Sequence, residues 1–281
     1  MKYLIRITIF ALVLLLLVSV LSLYMVLRPG KLVSDTTPAD LGLDYERVDF
    51  ETEDGVELAG WFIPTTGGET NTTVIAMHGY PADKGNILFS VSELAEDYNL
   101  FLFDFRYLGE SGGWYSTAGA KETRDLKAAV ALLEDEYSQE SFGLWGFSVG
   151  GAVAIMTASD LPQVGAIYAE SSYANLGDLS QELYRTPLIG AVMGKGTNLL
   201  GGMFLGVNPS NVAPEEDIKH IDIPVMIVHS RDDRVIDFSH GERLAEAGGE
   251  SVIFVEENGL NHGQATDESK SRMREFFEAN L

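Results

Sequence analysis

The pentapeptide at residues 146–150 reads G-F-S-V-G, and its central residue, Ser148, could act as a nucleophile. An apolar run at 142–145 precedes it, and small and apolar residues at 151–155 follow it. This order predicts a strand, a tight turn and a helix, with the serine on the turn. Flanking glycines suit such a turn because side chains there would collide with neighbouring elements. We therefore predict that Ser148 is a catalytic nucleophile.

A serine hydroxyl is a weak nucleophile at neutral pH, so a histidine must take its proton and a carboxylate must orient that histidine. Of the five histidines, only His262 lies in a loop between the last predicted strand and the last predicted helix, and we assign the base to it. Two candidate acids follow a predicted strand ahead of that loop, and Asp233 is preferred to Asp232. The order Ser148, Asp233, His262 differs from the chymotrypsin and subtilisin orders.

The elements that must position these residues follow from hydrophobic periodicity. Alternation at 47–51 and 56–63, around a turn at 53–55, predicts an opening antiparallel hairpin. Further strands are predicted at 73–77, 100–103, 142–145, 164–169, 224–229 and 251–255. Helices are predicted at 86–98, 121–137, 150–159, 239–247 and 266–279. The alternation predicts an α/β fold with a mostly parallel twisted sheet, helices on both faces, and reactive groups at the carboxyl ends of strands.

One long stretch interrupts this alternation. Residues 171–221 occupy about 50 positions between two predicted strands, where a helix of about 15 would suffice. The stretch includes two apolar segments, at 188–194 and 199–205. We predict a cap insertion over a pocket, and the alternative is a helical hairpin packed on the sheet edge.

The N-terminal segment is a candidate membrane anchor. No residue from Ile7 to Leu27 is charged, and a helix of that length would span roughly 32 Å, the thickness of a bilayer core. We predict a transmembrane anchor at residues 1–30, a linker at 31–41, and a catalytic domain at 42–281.

A cleaved signal peptide and a buried core helix are the alternatives for this segment. Its apolar run exceeds the roughly 7–15 residues usual for a signal peptide, and no A-x-A cleavage site follows it. Basic residues lie on both flanks, and Lys2 and Arg6 with the terminal amine favour the N-terminus inside. The expected location is therefore a single-pass membrane protein with an extracytoplasmic catalytic domain.

Composition excludes several other classes of function. The chain has 281 residues, 46% of them hydrophobic, and a formal net charge of −23, so a polyanion such as nucleic acid would be repelled. Because there is no cysteine, there can be no disulfide, thiolate nucleophile or thiolate metal site. We expect no cofactor and no metal.

Two further loops carry recognisable sequence patterns. Residues 104–111 are similar to D-x-R-G-x-G-x-S, and residues 229–237 are similar to H-G-x-x-D-x-x-V-P, with Asp233 at the acid position. Departures from these patterns occur at Tyr107, Ser230 and Asp237. Together with the serine motif, they make the chain resemble the α/β-hydrolase superfamily from Leu41 to the end. The resemblance implies that the charged side chains of 104–111 support the loop that supplies a backbone N–H to the reaction's oxyanion.

The resemblance also implies an oxyanion hole and a reaction. It would place one backbone N–H donor at Val149, after the nucleophile, and the other at Tyr80, after the His78-Gly79 pair. The opening hairpin, at 43–64, is similar to that of membrane-anchored or secreted bacterial serine hydrolases. The resemblance therefore implies acyl-ester cleavage of the carboxylesterase, lipase or thioesterase type, with a small-molecule or lipid-like acyl substrate as the partner.

Other reactions of this superfamily remain as alternatives. Haloalkane dehalogenases and epoxide hydrolases attack with an aspartate, so the serine at position 148 disfavours them. A serine peptidase or aminopeptidase of the same fold stays open, as does a catalytically silent binding protein. Fold alone does not determine the substrate.

Overall fold

A computed structural model describes residues 2–182, 196, 199, 201–202 and 206–281. The chain divides into two compact units, Met1–Pro29 with Asn175–Val212, and Gly30–Ala174 with Ala213–Leu281. The predicted cap falls largely on the first unit. Its apolar segment at 188–194 and most of the one at 199–205 lie outside the described residues.

The helices and strands are as follows. The helices are α1 (Lys2–Leu27), α2 (Lys84–Val91), α3 (Glu122–Tyr137), α4 (Val149–Ala158), α5 (Leu176–Glu182), α6 (Pro214–Asp217), α7 (Phe238–Gly248) and α8 (Asp267–Asn280). The strands are β1 (Glu46–Glu51), β2 (Glu57–Ile63), β3 (Thr72–Met77), β4 (Asn99–Phe103), β5 (Ser141–Phe147), β6 (Val164–Glu170), β7 (Val225–Ser230) and β8 (Val252–Glu257).

The first unit contains α1 and α5. Helix α1 has 26 residues, and Ser19 and Leu23, one turn apart on it, are buried. Within the part of the chain that the structure describes, no helix combines the length and the apolarity needed to cross a membrane. The transmembrane helix expected from the sequence is therefore not found among the described elements.

The second unit is built on one sheet. Its strands lie in the order β1-β2-β4-β3-β5-β6-β7-β8. The hairpin strands β1 and β2 run antiparallel, and the strands from β3 to β8 pair in parallel. The predicted mostly parallel sheet with an opening hairpin is confirmed. Parallel strands end at the same edge, so the loops after β3, β5 and β7 lie together.

Helices cover both faces of this sheet. Alternate strand residues such as Trp145 and Tyr168 form a buried cluster with α2 and α8. On the opposite face α4 packs closely against the sheet. A Cβ at Gly150 would overlap Met77, and a Cβ at Gly151 would lie too close to Ala169. Apolar residues at helical spacing on α3 are also buried. The predicted layering is confirmed.

Both ends of one helix differ from the prediction by more than one residue. The helix expected at 86–98 begins at Lys84, because the Asp83 carboxylate caps it by accepting from the Asn86 N–H at 3.0 Å. The α-helical part ends at Val91 and continues as a 3-10 turn over Ser92–Glu96.

Candidate active site

Ser148 lies on the turn between β5 and α4, at the carboxyl end of the strand. Its backbone has φ 56° and ψ −115°, a conformation that residues other than glycine rarely adopt. A Cβ at Gly146 would overlap the backbone of Gly150, and one at Gly150 would overlap the Met77 carbonyl. Only glycines therefore permit this turn, which holds the serine out from the sheet.

The backbone of the nucleophile turn is fixed on both sides. The Ser148 N–H donates to the Glu170 carbonyl oxygen at 2.8 Å. The Ser148 carbonyl accepts from the Ser172 hydroxyl at 3.0 Å and from the Ala152 N–H at 3.2 Å. These bonds hold a strained residue in place, so the serine is positioned before any substrate arrives.

The structure brings Ser148, His262 and Asp233 together. The His262 Nδ1–H donates to Asp233 Oδ2 at 2.7 Å, and His262 Nε2 lies 3.2 Å from Ser148 Oγ. With its Nδ1 proton directed to the carboxylate, the imidazole presents an unprotonated Nε2 to the serine hydroxyl. This geometry suits proton transfer from the serine.

The preferred acid, Asp233, is held as a carboxylate. Its Oδ1 accepts from the N–H groups of Val235 at 2.8 Å and Ile236 at 3.0 Å. Burial alone would raise the pKa of Asp233, but hydrogen bonds from His262 and from these two backbone groups outweigh it and lower the pKa. The alternative acid, Asp232, is exposed and accepts instead from the Gly259 N–H at 2.6 Å.

Two further residues at the site were not predicted. The ring of Phe147 packs against His262, with centroids 4.7 Å apart, and so limits the tilt of the imidazole. His229 donates from Nε2 to the Ile236 carbonyl at 3.0 Å and lies 3.7 Å from Asp233 Oδ2. Burial lowers the pKa of His229, which keeps it neutral. The H-x-x-x-D spacing of residues 229–233 was the sequence signal that could have identified His229.

The loop after β3 borders the nucleophile. A Cβ at Gly79 would lie 2.8 Å from the Phe147 ring and 3.1 Å from Ser148 Cβ. The loop backbone therefore runs beside the serine, with Tyr80 as its next residue, while Val149 follows the serine as the first residue of α4. The loop that carries Tyr80 and the first residue of α4, Val149, thus both border Ser148.

His78 supports this loop without facing the serine. Its Nε2 accepts from the Phe105 N–H at 3.0 Å, so the proton is on Nδ1, which donates to the Gly79 carbonyl at 2.7 Å. The side chain is fully buried, and burial lowers the pKa of His78. This neutral imidazole ties the loops after β3 and β4 together.

The loop at 104–111 forms a charged brace. Asp104 accepts from the Lys84 N–H at 2.7 Å, from Lys84 Nζ at 2.6 Å and from the Glu110 N–H at 2.8 Å. Tyr107, which replaces a glycine of the family pattern, has φ 69° and so sits in the left-handed region. Ser111 closes the loop by donating to the Asp104 carbonyl at 2.6 Å.

Among the described residues, no group of three or more His, Asp or Glu is arranged for a metal ion.

Glu170, at the carboxyl end of β6, is a buried carboxyl beside the nucleophile turn. It lines a small pocket with Trp145 and Tyr168. Burial, reinforced by the charge of Glu257 and opposed by Arg272, raises the pKa of Glu170 from 4.5 to about 8. The folded protein therefore keeps this group neutral near pH 7.

We expect Glu170→Gln to stabilise the protein at alkaline pH. Because the folded pKa lies above the unfolded one, stability from the protonated group is complete below pH 4.5 and is lost as pH rises to about 8. The variant cannot ionise, so its free energy of unfolding should gain on that of the wild type by about 1.4 kcal/mol for each pH unit between 4.5 and about 8. Urea unfolding at several pH values measures this, with the exposed Glu256→Gln as control. Parallel pH profiles for wild type and Glu170→Gln would contradict the prediction.

Comparison with known proteins supports the same fold. Residues 72–186 match the sequence profile of a family described as alpha/beta hydrolase fold. The chain is 30% identical over 233 residues to the uncharacterized protein YfhR of Salmonella typhi, a match that covers 77% of this chain and 72% of that protein. The match to YfhR of Escherichia coli O157:H7 is 29% identical and covers 71% of this chain and 66%, just under two thirds, of that protein.

A solved structure is similar over almost all of its length. The Pyrococcus furiosus esterase Pf2001 superimposes with a TM-score of 0.75 at 30% sequence identity, covering 90% of this chain and 99% of the esterase. The residues matched by the family profile include the strand, turn and helix around Ser148. The chain therefore belongs to the alpha/beta hydrolase family.

Proposed function

We propose that this hydrolase cleaves acyl esters through an acyl-enzyme on Ser148. The observation that carries the proposal is the continuous hydrogen-bonded series from Ser148 Oγ through His262 to Asp233, at 3.2 and 2.7 Å. Such a series converts a weak nucleophile into a reactive one. The esterase Pf2001, 30% identical to this chain, supports an ester as the bond cleaved.

The chemistry assigns one role to each residue. Ser148 Oγ attacks the ester carbonyl carbon while its proton passes to His262 Nε2, and Asp233 stabilises the imidazolium. The tetrahedral oxyanion accepts from the N–H groups of Tyr80 and Val149. Collapse breaks the bond to the alcohol oxygen, which takes the proton from His262. Water, deprotonated by the same histidine, then attacks the acyl carbon. The bond to Ser148 Oγ breaks, Oγ takes the proton back from His262, and the acid is released.

Labelling with a fluorophosphonate tests this proposal. We expect one covalent adduct, on Ser148, and protection against it by p-nitrophenyl esters. Competition with thioesters and aminoacyl amides, in parallel, compares the three classes of substrate. Stronger protection by the amides would indicate a peptidase, and no labelling at all would indicate a silent binding protein.

We also propose a location, which rests on the sequence. The uncharged segment Ile7–Leu27, with Lys2 and Arg6 before it, would hold the second unit, which we call the catalytic unit, at the outer face of a membrane. Such a location favours lipid-like acyl substrates. The acidic remainder of the chain disfavours substrates with anionic headgroups.

Cell fractionation should find the full-length protein in the membrane fraction, and external protease should digest its catalytic unit in spheroplasts. A variant without residues 2–29 is the control and should be released from the membrane. A mature product that begins near Leu23 and is free in the medium would contradict the proposed anchor. A catalytic unit protected from protease would show the opposite orientation.

A further inference from the structure

Residues 31–34, which we call the strap, belong to the second unit and bind two of its loops. They were expected to belong to a linker, and three residues separate them from the end of α1. The Ser34 N–H donates to Asp83 Oδ2 at 2.5 Å, and the Ser34 hydroxyl donates to Asp83 Oδ1 at 2.7 Å. The Asn86 side chain in turn donates to the Ser34 hydroxyl at 3.0 Å.

The other end of the strap binds the loop at 104–111. Lys31 Nζ donates to the Ser111 carbonyl at 2.7 Å and lies 5.5 Å from the centre of the Tyr107 ring. The fit at the Ser34 end is close, since a Cβ at Gly85 would lie 2.6 Å from Ser34 Cβ. The strap therefore connects the loop that ends at Asp83 with the loop at 104–111 of the same unit.

Both loops support the backbone that adjoins the nucleophile. Asp83 is buried, lies three residues after Tyr80 and caps α2. The next residue, Lys84, pairs through Nζ with Asp104 at 2.6 Å and with Glu110 at 2.7 Å. The loop that carries Tyr80 is thus held at its far end by Asp83 and Lys84. Among the described residues, three hydrogen bonds reach the Asp83 carboxylate, and the strap supplies two of them.

We propose that Ser34 and Lys31 are positioning residues that hold the loop at 78–83 in the geometry needed by the Tyr80 N–H donor. The proposal rests on the proposed function, because that donor acts on the oxyanion of an acyl transfer. Loss of the Ser34 hydroxyl leaves the buried Asp83 carboxylate one donor short, so the loop is free to shift. A shift of a fraction of an ångström at an oxyanion donor lowers kcat, because that bond is made mainly in the transition state.

The double variant Ser34→Ala with Lys31→Met tests the strap in the full-length protein. We expect kcat for a p-nitrophenyl ester to fall about tenfold with KM unchanged. Hydrogen–deuterium exchange in the peptide at 78–86 should become faster. The matched control is Thr37→Ala, which should change neither readout, because the Thr37 hydroxyl donates to the nearby Asp40 at 2.9 Å. Ser34→Ala alone replaces the double variant if that variant is unstable.

The outcomes separate the strap from the proposed function. A lower melting temperature with unchanged kcat and unchanged exchange at 78–86 would show a merely structural segment and overturn the proposal. Equal loss of kcat in Thr37→Ala would do the same. A wild type that is neither labelled nor active would refute the proposed function, while the exchange measurement would still decide whether the strap holds the loop.

Discussion

Ser148→Ala is expected to reduce ester hydrolysis by about 10³-fold or more, because the substitution removes the attacking oxygen. Binding and oxyanion stabilisation by the backbone remain, so the residual rate should still exceed that of the uncatalysed reaction. The hydroxyl contributes one bond, to His262 at 3.2 Å, while the backbone bonds of residue 148 are unaffected. Folding should therefore be preserved.

Steady-state kinetics on a short-chain p-nitrophenyl ester, with near-UV circular dichroism as the check on folding, measures this effect. Fluorophosphonate labelling should disappear in the same variant. Undiminished turnover by folded Ser148→Ala at matched purity would assign the nucleophile elsewhere.

Asp233→Asn is expected to reduce kcat/KM by about 10³- to 10⁴-fold. The asparagine amide would no longer hold the proton of His262 on Nδ1 by a charged bond of 2.7 Å. The imidazole could then adopt the tautomer that presents a proton, not a lone pair, to Ser148.

Asp232→Asn is the matched control for this substitution. Its carboxylate is exposed, and an asparagine oxygen could still accept from the Gly259 N–H. We expect a change of no more than about twofold, as for other exposed substitutions. A larger loss in Asp232→Asn than in Asp233→Asn would show that the acid had been assigned one position too late.

Much of the fold was predictable because its signals are local. Alternation and short apolar runs marked the strands to within a few residues, since side chains in a strand must match the two faces of a sheet. The start of α2 was missed because the first N–H groups of the helix donate to Asp83 and to Asp104. Asp104 is distant in sequence, so the residues around 86 give no sign of its contact. Contacts distant in sequence leave no periodic pattern.

The sequence by itself determined the candidate nucleophile and its histidine, because glycines at 146 and 150 and a loop histidine after the last strand are readable as letters. Only the tertiary structure decided which aspartate meets His262, since Val235 and Ile236 turn Asp233 inward while Asp232 faces Gly259. It alone showed Phe147 against the imidazole and residues 31–34 against two loops. The physical reason is that these contacts join segments far apart in the chain, and their geometry exists only after the sheet has brought the loops to one edge.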